Sequence, residues 1–395
     1  MKALKTFMIA LCAVALASLA QAQIVLHVTG STAFRGATHT AIGNILNSGY
    51  TVGYSGTTLN SAGQAVFSGT TKVGNTAVVI KTSWSGSVGG VQTLSQLSPA
   101  LTVATWLQTG LTGAGLTGPY DSAAPADVTM SDSFQSSTAF YGTGYATLVD
   151  TTVGVVPFVW VKGQTNDPTV ALSAPNLTNV TSLLARALLS AGTVPLSQFT
   201  GASGDSTIDV DATGRDEDSG TRLDTFAESG FGVFGSPLQY DPTVAGGVIT
   251  SIAPWPANTV DGIAYTQLGH SGFSSGGSLA TALNSPVNTG ATDPFGNKFL
   301  MLGYAGLSDA VNVNGGNNEL MYNGVPYSAA NVQQGRYTFW SYEHLMYRNT
   351  LAPASITVAQ LIAQQILTQD ATVSGVLVGS MQVSRRVEGG IVSHN

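Results

Sequence analysis

Residues 214–222 read GRDEDSGTR, a polar run in a chain of which only 9% is charged. It holds Arg215, Ser219, Gly220 and Thr221. A guanidinium presents a rigid fork of donors that fits the oxygens of a tetrahedral anion. Serine and threonine hydroxyls add donors, and glycine lets backbone N–H groups come close. Two other stretches repeat the small-residue theme. One is Ser31, Thr32, Ala33 and Phe34 in VTGSTAFRGA; the other is Ser87, Val88, Gly89 and Gly90 in SGSVGGVQTL. A helix N-terminus offers unsatisfied N–H groups and a partial positive charge, which is the chemistry of anion binding. The same residue types also serve as ordinary helix N-caps. One such turn therefore says little. Three in one chain, with Arg215 four residues before Ser219, read as one anion-binding set.

The elements that must position these turns alternate. QIVLHVTG (23–30) is a β-branched run ending at Gly30, and helical spacing follows at Ala37, Ala41, Ile42, Ile45 and Leu46. TAVVIKTSW (76–84) predicts a strand leading into the second turn and its helix. ADVTMSDS (126–133) predicts a short strand with a polar end, and VGVVPFVWVK (153–162) a central one. STIDVDATG leads into the third turn as strand, turn and helix. NLTNVTSLLARALLSAG (176–192) predicts a helix with Leu183, Leu184, Ala187 and Leu188 as its stripe and Gly192 beyond its end. Residues 49–76 read as a hairpin or a long polar excursion. TVAQLIAQQILTQ (357–369) predicts a helix, and SMQVSRRV (380–387) a last strand. Strands alternating with helices define an α/β fold.

Several tempting patterns fail on context. GAGLTG (113–118) matches a dinucleotide fingerprint but follows no strand and runs into Pro119. GFSSG (272–276) matches a nucleophile elbow, which needs a strand before it and a helix after it. The surrounding GHSGFSSGGS reads as a flexible turn, so a hydrolase built on Ser274 is the weaker reading. The five histidines, His27, His39, His270, His344 and His394, lack the spacing of a metal site. Glu343 and His344 are read as structural, facing opposite sides of a strand. No metal and no cofactor is expected.

The first residues, MKALKTFMIALCAVALASLAQAQ, combine Lys2 and Lys5 with an apolar stretch and Ala20-Gln21-Ala22. That is the pattern of a cleavable export signal, with cleavage expected after Ala22. Cys12, the only cysteine, lies inside the apolar stretch, so the remaining chain can form no disulfide. The chain carries 14 basic and 21 acidic residues, a formal net charge of −7. Such a charge attracts neither nucleic acid nor an anionic membrane through its overall field. An anion would have to be held by local donors.

These segments resemble those of the phosphate-binding proteins of bacterial ABC transporters, two-lobed periplasmic binding proteins of type II. GRDEDSGTR resembles the family's Arg-x-x-x-Ser-Gly-Thr segment, ADVTMSDS its strand ending in Ser-Asp, SGSVGGVQTL its Gly-rich turn and VTGSTAFRGA its first turn. VVPFVWVKG and LSQFTG also fit. The resemblance implies phosphate contacts from Ser31, Thr32, Ala33, Phe34, Ser87, Asp132, Arg215, Ser219, Gly220 and Thr221. The first turn is one residue longer than the commonest form, which leaves the binding hydroxyl open between Ser31 and Thr32. One of Asp216, Glu217 and Asp218 could brace the guanidinium; the others read as solvated or helix-capping. The implied fold has two lobes, each with a central, mostly parallel sheet flanked by helices. Residues 23–162 plus 330–395 would form lobe one and 163–329 lobe two. The implied function is capture of inorganic phosphate, as hydrogen phosphate, by a periplasmic or secreted monomer. It would deliver the ion to a permease in the inner membrane. A carboxylate such as Asp132 suits an anion that carries a proton, which sulfate does not. The alternatives are a secreted phosphatase or esterase, and a surface protein that kept the fold without the ligand.

Overall fold

The computed structural model describes residues 23–96 and 105–395, so the expected export signal at 1–22 lies outside the described residues. β1 (Ile24–Gly30) runs into α1 (Arg35–Ile45). The polar excursion is a hairpin, β2 (Thr51–Tyr54) paired antiparallel with β3 (Gln64–Thr70). β4 (Ala77–Ser83) leads into α2 (Ser87–Ser95). β5 (Val128–Ser131) and the long β6 (Leu148–Lys162) follow. Then come α3 (Ser182–Ala191), β7 (Thr193–Pro195), β8 (Ile208–Ala212) and α4 (Gly220–Ser229). The chain continues through α5 (Gly276–Asn284), β9 (Lys298–Gly306), β10 (Trp340–Arg348) and α6 (Pro353–Thr368). The α/β alternation read from the sequence is the architecture observed.

Ten strands form one mixed sheet in the order β2-β3-β4-β1-β5-β10-β6-β9-β8-β7. β1 pairs parallel with β4 and β5, and β8 parallel with β9; the other pairs are antiparallel. Each of the three candidate turns follows a strand of a parallel pair, because a parallel pair needs a crossover and the turn opens it. β6 is shared between the two halves of the sheet. Its Leu148–Pro157 stretch pairs with β10, and Phe158–Lys162 with β9. Pro157, which has no N–H to give, stands where the partner changes. Phe158 N–H instead donates to Phe339 O at 3.0 Å. Buried on both faces, the second part of β6 is apolar almost throughout, as its central place requires.

Three expectations about elements need correction. In α3 the buried residues are Ala185, Leu188 and Leu189, while Leu183 and Ala187 are exposed. The helix lies against β7, β8 and α4 and is rotated so that this face is covered. The last segment forms only a two-residue strand, Val383–Ser384, paired with Ser393–His394. Arg385 turns inward there, onto Glu228 at 2.9 Å and over the Trp340 ring at 4.1 Å. The final long helix begins four residues earlier than its apolar pattern, at Pro353, a residue suited to a first helical position.

Phe34 anchors the first turn to the sheet. Its ring is fully buried, and a β-carbon on Gly154 of β6 would come within 2.6 Å of Phe34 Cζ. The glycine leaves the space that the ring fills. Phe34→Ala is therefore expected to open a cavity and cost about 3–5 kcal/mol. Chemical denaturation checks this; a loss below about 1 kcal/mol, the size of an ordinary surface change, would show that the ring is not the anchor.

Candidate functional site

α2 and α4 meet end to end with the turn after β5. Asp218 O accepts from Val88 N–H at 2.9 Å and from Gly89 N–H at 3.2 Å. The backbone before α4 thus caps the first turn of α2. Ser219 is the N-cap of α4, its hydroxyl accepting from Arg222 N–H at 3.2 Å. Gly220 then passes so close to its neighbours that a β-carbon there would lie 1.6 Å from Asp132 Oδ1 and 2.7 Å from Ser87 Cβ. No other residue type fits without moving one of them. Ser87 Oγ accepts from Asp132 N–H at 3.3 Å, and Thr221 Oγ1 donates to Asp132 Oδ2 at 3.4 Å. Ser87, Asp132, Ser219, Gly220 and Thr221, far apart in the chain, form one buried group.

The first turn joins this group through the backbone. Gly86 N–H donates to Gly30 O and Ser31 N–H to Met130 O, both at 2.9 Å. Ser31 and Thr32 are both buried. Ala33 packs at Gly306, where a β-carbon would sit 3.0 Å from its own. Among the described residues no backbone acceptor serves the N–H groups of Thr32, Ala33, Phe34, Gly220 or Thr221. Ser31 Oγ and Asp132 Oδ1 are buried and equally without partners. The groups left unpaired are thus N–H donors, a hydroxyl and one carboxylate oxygen. That set can hold a small anion that carries at least one proton of its own.

Arg215 is placed differently from the expectation. It is buried, but its Nε donates to Phe273 O and its Nη2 to Ser274 O, each at 2.9 Å. None of the three acidic neighbours pairs with it. Glu217 instead accepts from Ser271 Oγ at 3.0 Å and stands 3.9 Å from His270. Asp216 and Asp218 are half-buried rather than solvated, and burial pushes their carboxyls up to about 6 and about 8. Bonded to neutral carbonyls, the guanidinium keeps its charge uncompensated, and that charge lowers the carboxyls of Asp216 and Asp218 against their burial. Arg215 does act on Asp132. Burial raises that carboxyl to about 6, against the lowering effects of Ser87, Arg215 and Thr221.

Two residues absent from the sequence expectation border the group. Arg35, at the start of α1, pairs with Asp309 at 3.1 Å, tying the first turn to the segment after β9. Glu343 lies on β10 and is fully buried; neither carboxylate oxygen makes a well-formed hydrogen bond, and the Ser31 hydroxyl is its nearby polar group. Ser274 is exposed on a loop well separated from the short preceding strand Ile263–Tyr265, so no strand leads directly into it, and among the described residues no histidine bonds to it. Its carbonyl is engaged by Arg215. This is not the geometry of an activated nucleophile.

The comparisons with known proteins fall beside this geometry. No family model matches the chain, and no curated protein does. Among solved structures, the chain is similar to one from Clostridium perfringens described as a phosphate ABC transporter substrate-binding protein with bound phosphate. Identity is 11%, coverage 89% of this chain and 98% of that one, and the TM-score 0.49. It is also similar to an ABC-type phosphate transport receptor from Vibrio cholerae, at 10% identity, 89% and 99% coverage and a TM-score of 0.45. Among the described residues no helix is long and apolar enough to cross a membrane.

The Asp132 carboxyl ties stability to pH. In the unfolded chain it ionises near its ordinary value of 3.8; in the fold it holds its proton up to about 6. Its contribution is therefore full below the unfolded value and lost as pH rises through the folded one. Asp132→Asn never carries the buried charge. The variant is expected to melt above the parent at about pH 8, with the gap narrowing at about pH 5, where the parent is itself protonated. Thermal unfolding at the two pH values checks this; a gap independent of pH would contradict it.

Proposed function

We propose that the chain is a solute-binding protein that captures inorganic phosphate at the group formed by Ser87, Asp132, Gly220 and Thr221 with the first turn, Ser31 to Phe34. Arg215 supplies the long-range positive charge. Residues 23–162 plus 330–395 form one lobe and 163–329 the other, and the anion is held where they meet. The protein is an exported monomer, periplasmic or secreted. It passes its ligand to an ABC permease in the inner membrane and carries out no catalysis.

One observation carries the reading: the bare Cα of Gly220 brings the N–H groups opening α4 against Asp132 and Ser87. Donors alone would fit any oxyanion. The unpartnered Asp132 Oδ1 narrows the choice. At neutral pH this carboxyl is mostly ionised, since it protonates only near 6. It can accept the proton of hydrogen phosphate while the hydroxyls of Ser31 and Ser87 and the N–H groups, that of Thr221 among them, donate to the other oxygens; the Thr221 hydroxyl is engaged with Asp132 Oδ2. Sulfate would set a charged oxygen against a charged carboxylate. Such a contact, in a site closed to water, costs a few kcal/mol.

Calorimetric titration at neutral pH is expected to show phosphate binding with a Kd of about 1 μM or tighter, roughly −8 kcal/mol. Sulfate should bind at least about a hundredfold more weakly, and arsenate, protonated and of the same shape, should compete. No phosphate binding below the millimolar range would overturn the reading. Equal binding of sulfate would overturn the role of Asp132.

A further inference from the structure

The side chain of Glu343 stands where nothing so far requires a carboxyl. β10 pairs antiparallel with β5, with His344 opposite Ser131 and Leu345 opposite Met130. The next residue of β10, Glu343, stands beside Asp132, which opens the turn directly after β5 and whose charge acts on the Glu343 carboxyl. The other flank agrees. Glu343 is paired with Gly154 of β6, and Phe34 of the first turn packs on that glycine. A bulge between Glu343 and His344 then turns the histidine towards Asp150, which it meets at 2.8 Å.

Glu343 is fully buried, with a relative exposure of 0%. Neither of its oxygens makes a well-formed hydrogen bond, and the Ser31 hydroxyl is the polar neighbour that lowers its carboxyl; Asp132 Oδ1 is likewise without a partner. The charged groups around it offer no neutralisation. Asp132 faces it from the turn after β5, Asp224 on α4 acts with Asp132 and Glu388, and among the described residues the cation acting on the pair is Arg215, through Asp132. Two neighbouring carboxyls away from water do not both ionise, so one of the pair keeps its proton.

We propose that Glu343 is a second carboxyl of the anion site and the one that stays protonated, donating its proton in a hydrogen bond to one ligand oxygen while Asp132 accepts the ligand's own proton on another. This rests on the phosphate reading above. The site thereby matches a singly protonated phosphate with one acid acting as donor and one as acceptor, and no net proton moves at neutral pH. Wherever rising pH removes the Glu343 proton in the free protein, binding must restore it. Burial and the charge of Asp132 both hold its carboxyl well above the usual carboxylate range.

The test is phosphate titration of the full chain, wild type and Glu343→Gln, at about pH 7 and about pH 9, in buffers of different ionisation heat so that protons taken up are counted. The amide of glutamine donates without titrating. Expected is tight binding by both at neutral pH. At alkaline pH the wild type should take up more protons than the variant, and its affinity should fall at least about tenfold further. Identical proton counts and identical pH profiles would overturn the role of Glu343 and leave the phosphate reading standing. No binding of phosphate by the wild type at either pH would overturn both. Should the variant fail to fold, the wild-type proton count still decides: no uptake beyond that of the phosphate itself overturns the proposal.

Discussion

Asp218 O accepts from both Val88 and Gly89 N–H, and through that one carbonyl two helix ends are held together. Everything nearby follows from it. With the chain before α4 docked on the start of α2, Gly220 must pass over Asp132 and Ser87, and only a residue without a β-carbon can do so. Thr221 then reaches Asp132, and the first N–H groups of α4, like those of the turn after β1, are left without backbone acceptors. The first turn is fixed independently, by Phe34 on Gly154 and by Arg35 on Asp309. The site is a junction of backbone segments more than a collection of side chains.

Electrostatics explain why so polar a junction sits in a chain poor in charge. The carboxyls of Asp132, Asp216 and Asp218 are all raised mainly by burial, and Asp224 and Glu343 stand well above the ordinary range for the same reason. Arg215 is the cation that opposes burial at Asp132, Asp216 and Asp218, and it is pinned by the Phe273 and Ser274 carbonyls. A fold selected for stability alone would replace such buried acids by apolar residues of similar size. Their presence makes sense if protons and hydrogen bonds from a ligand complete them, and it fits an anion that is itself a proton donor better than one that is fully ionised.

Much of this was legible in the sequence. The three turns were visible because each ends a β-branched run and opens a helical pattern, and Asp132 because a Ser-Asp pair closes a short strand. Other features were hidden for definite physical reasons. That Arg215 bonds carbonyls nearly sixty residues away depends on where the loop around Phe273 comes to rest, which no local pattern encodes. The capping role of Asp218 belongs to its carbonyl, which every residue has. Glu343 was read as structural because its alternation with His344 gave no hint of what each face meets; strand register with β5 decides that. The α3 stripe was misplaced by one step of the helix because leucines at 183 and 184 look alike until packing selects a face.

The central claim is that the space between the turn after β1, Asp132 and the start of α4 is an anion site. A crystal structure of the protein grown with millimolar phosphate tests it most directly. The account predicts a tetrahedral anion within about 2.7–3.2 Å of N–H groups from both the first turn and α4, with Asp132 Oδ1 on one of its oxygens. Phosphate found elsewhere, for example in the cavity of about 210 Å³ beside Tyr265 and His270, with the junction unchanged, would contradict it.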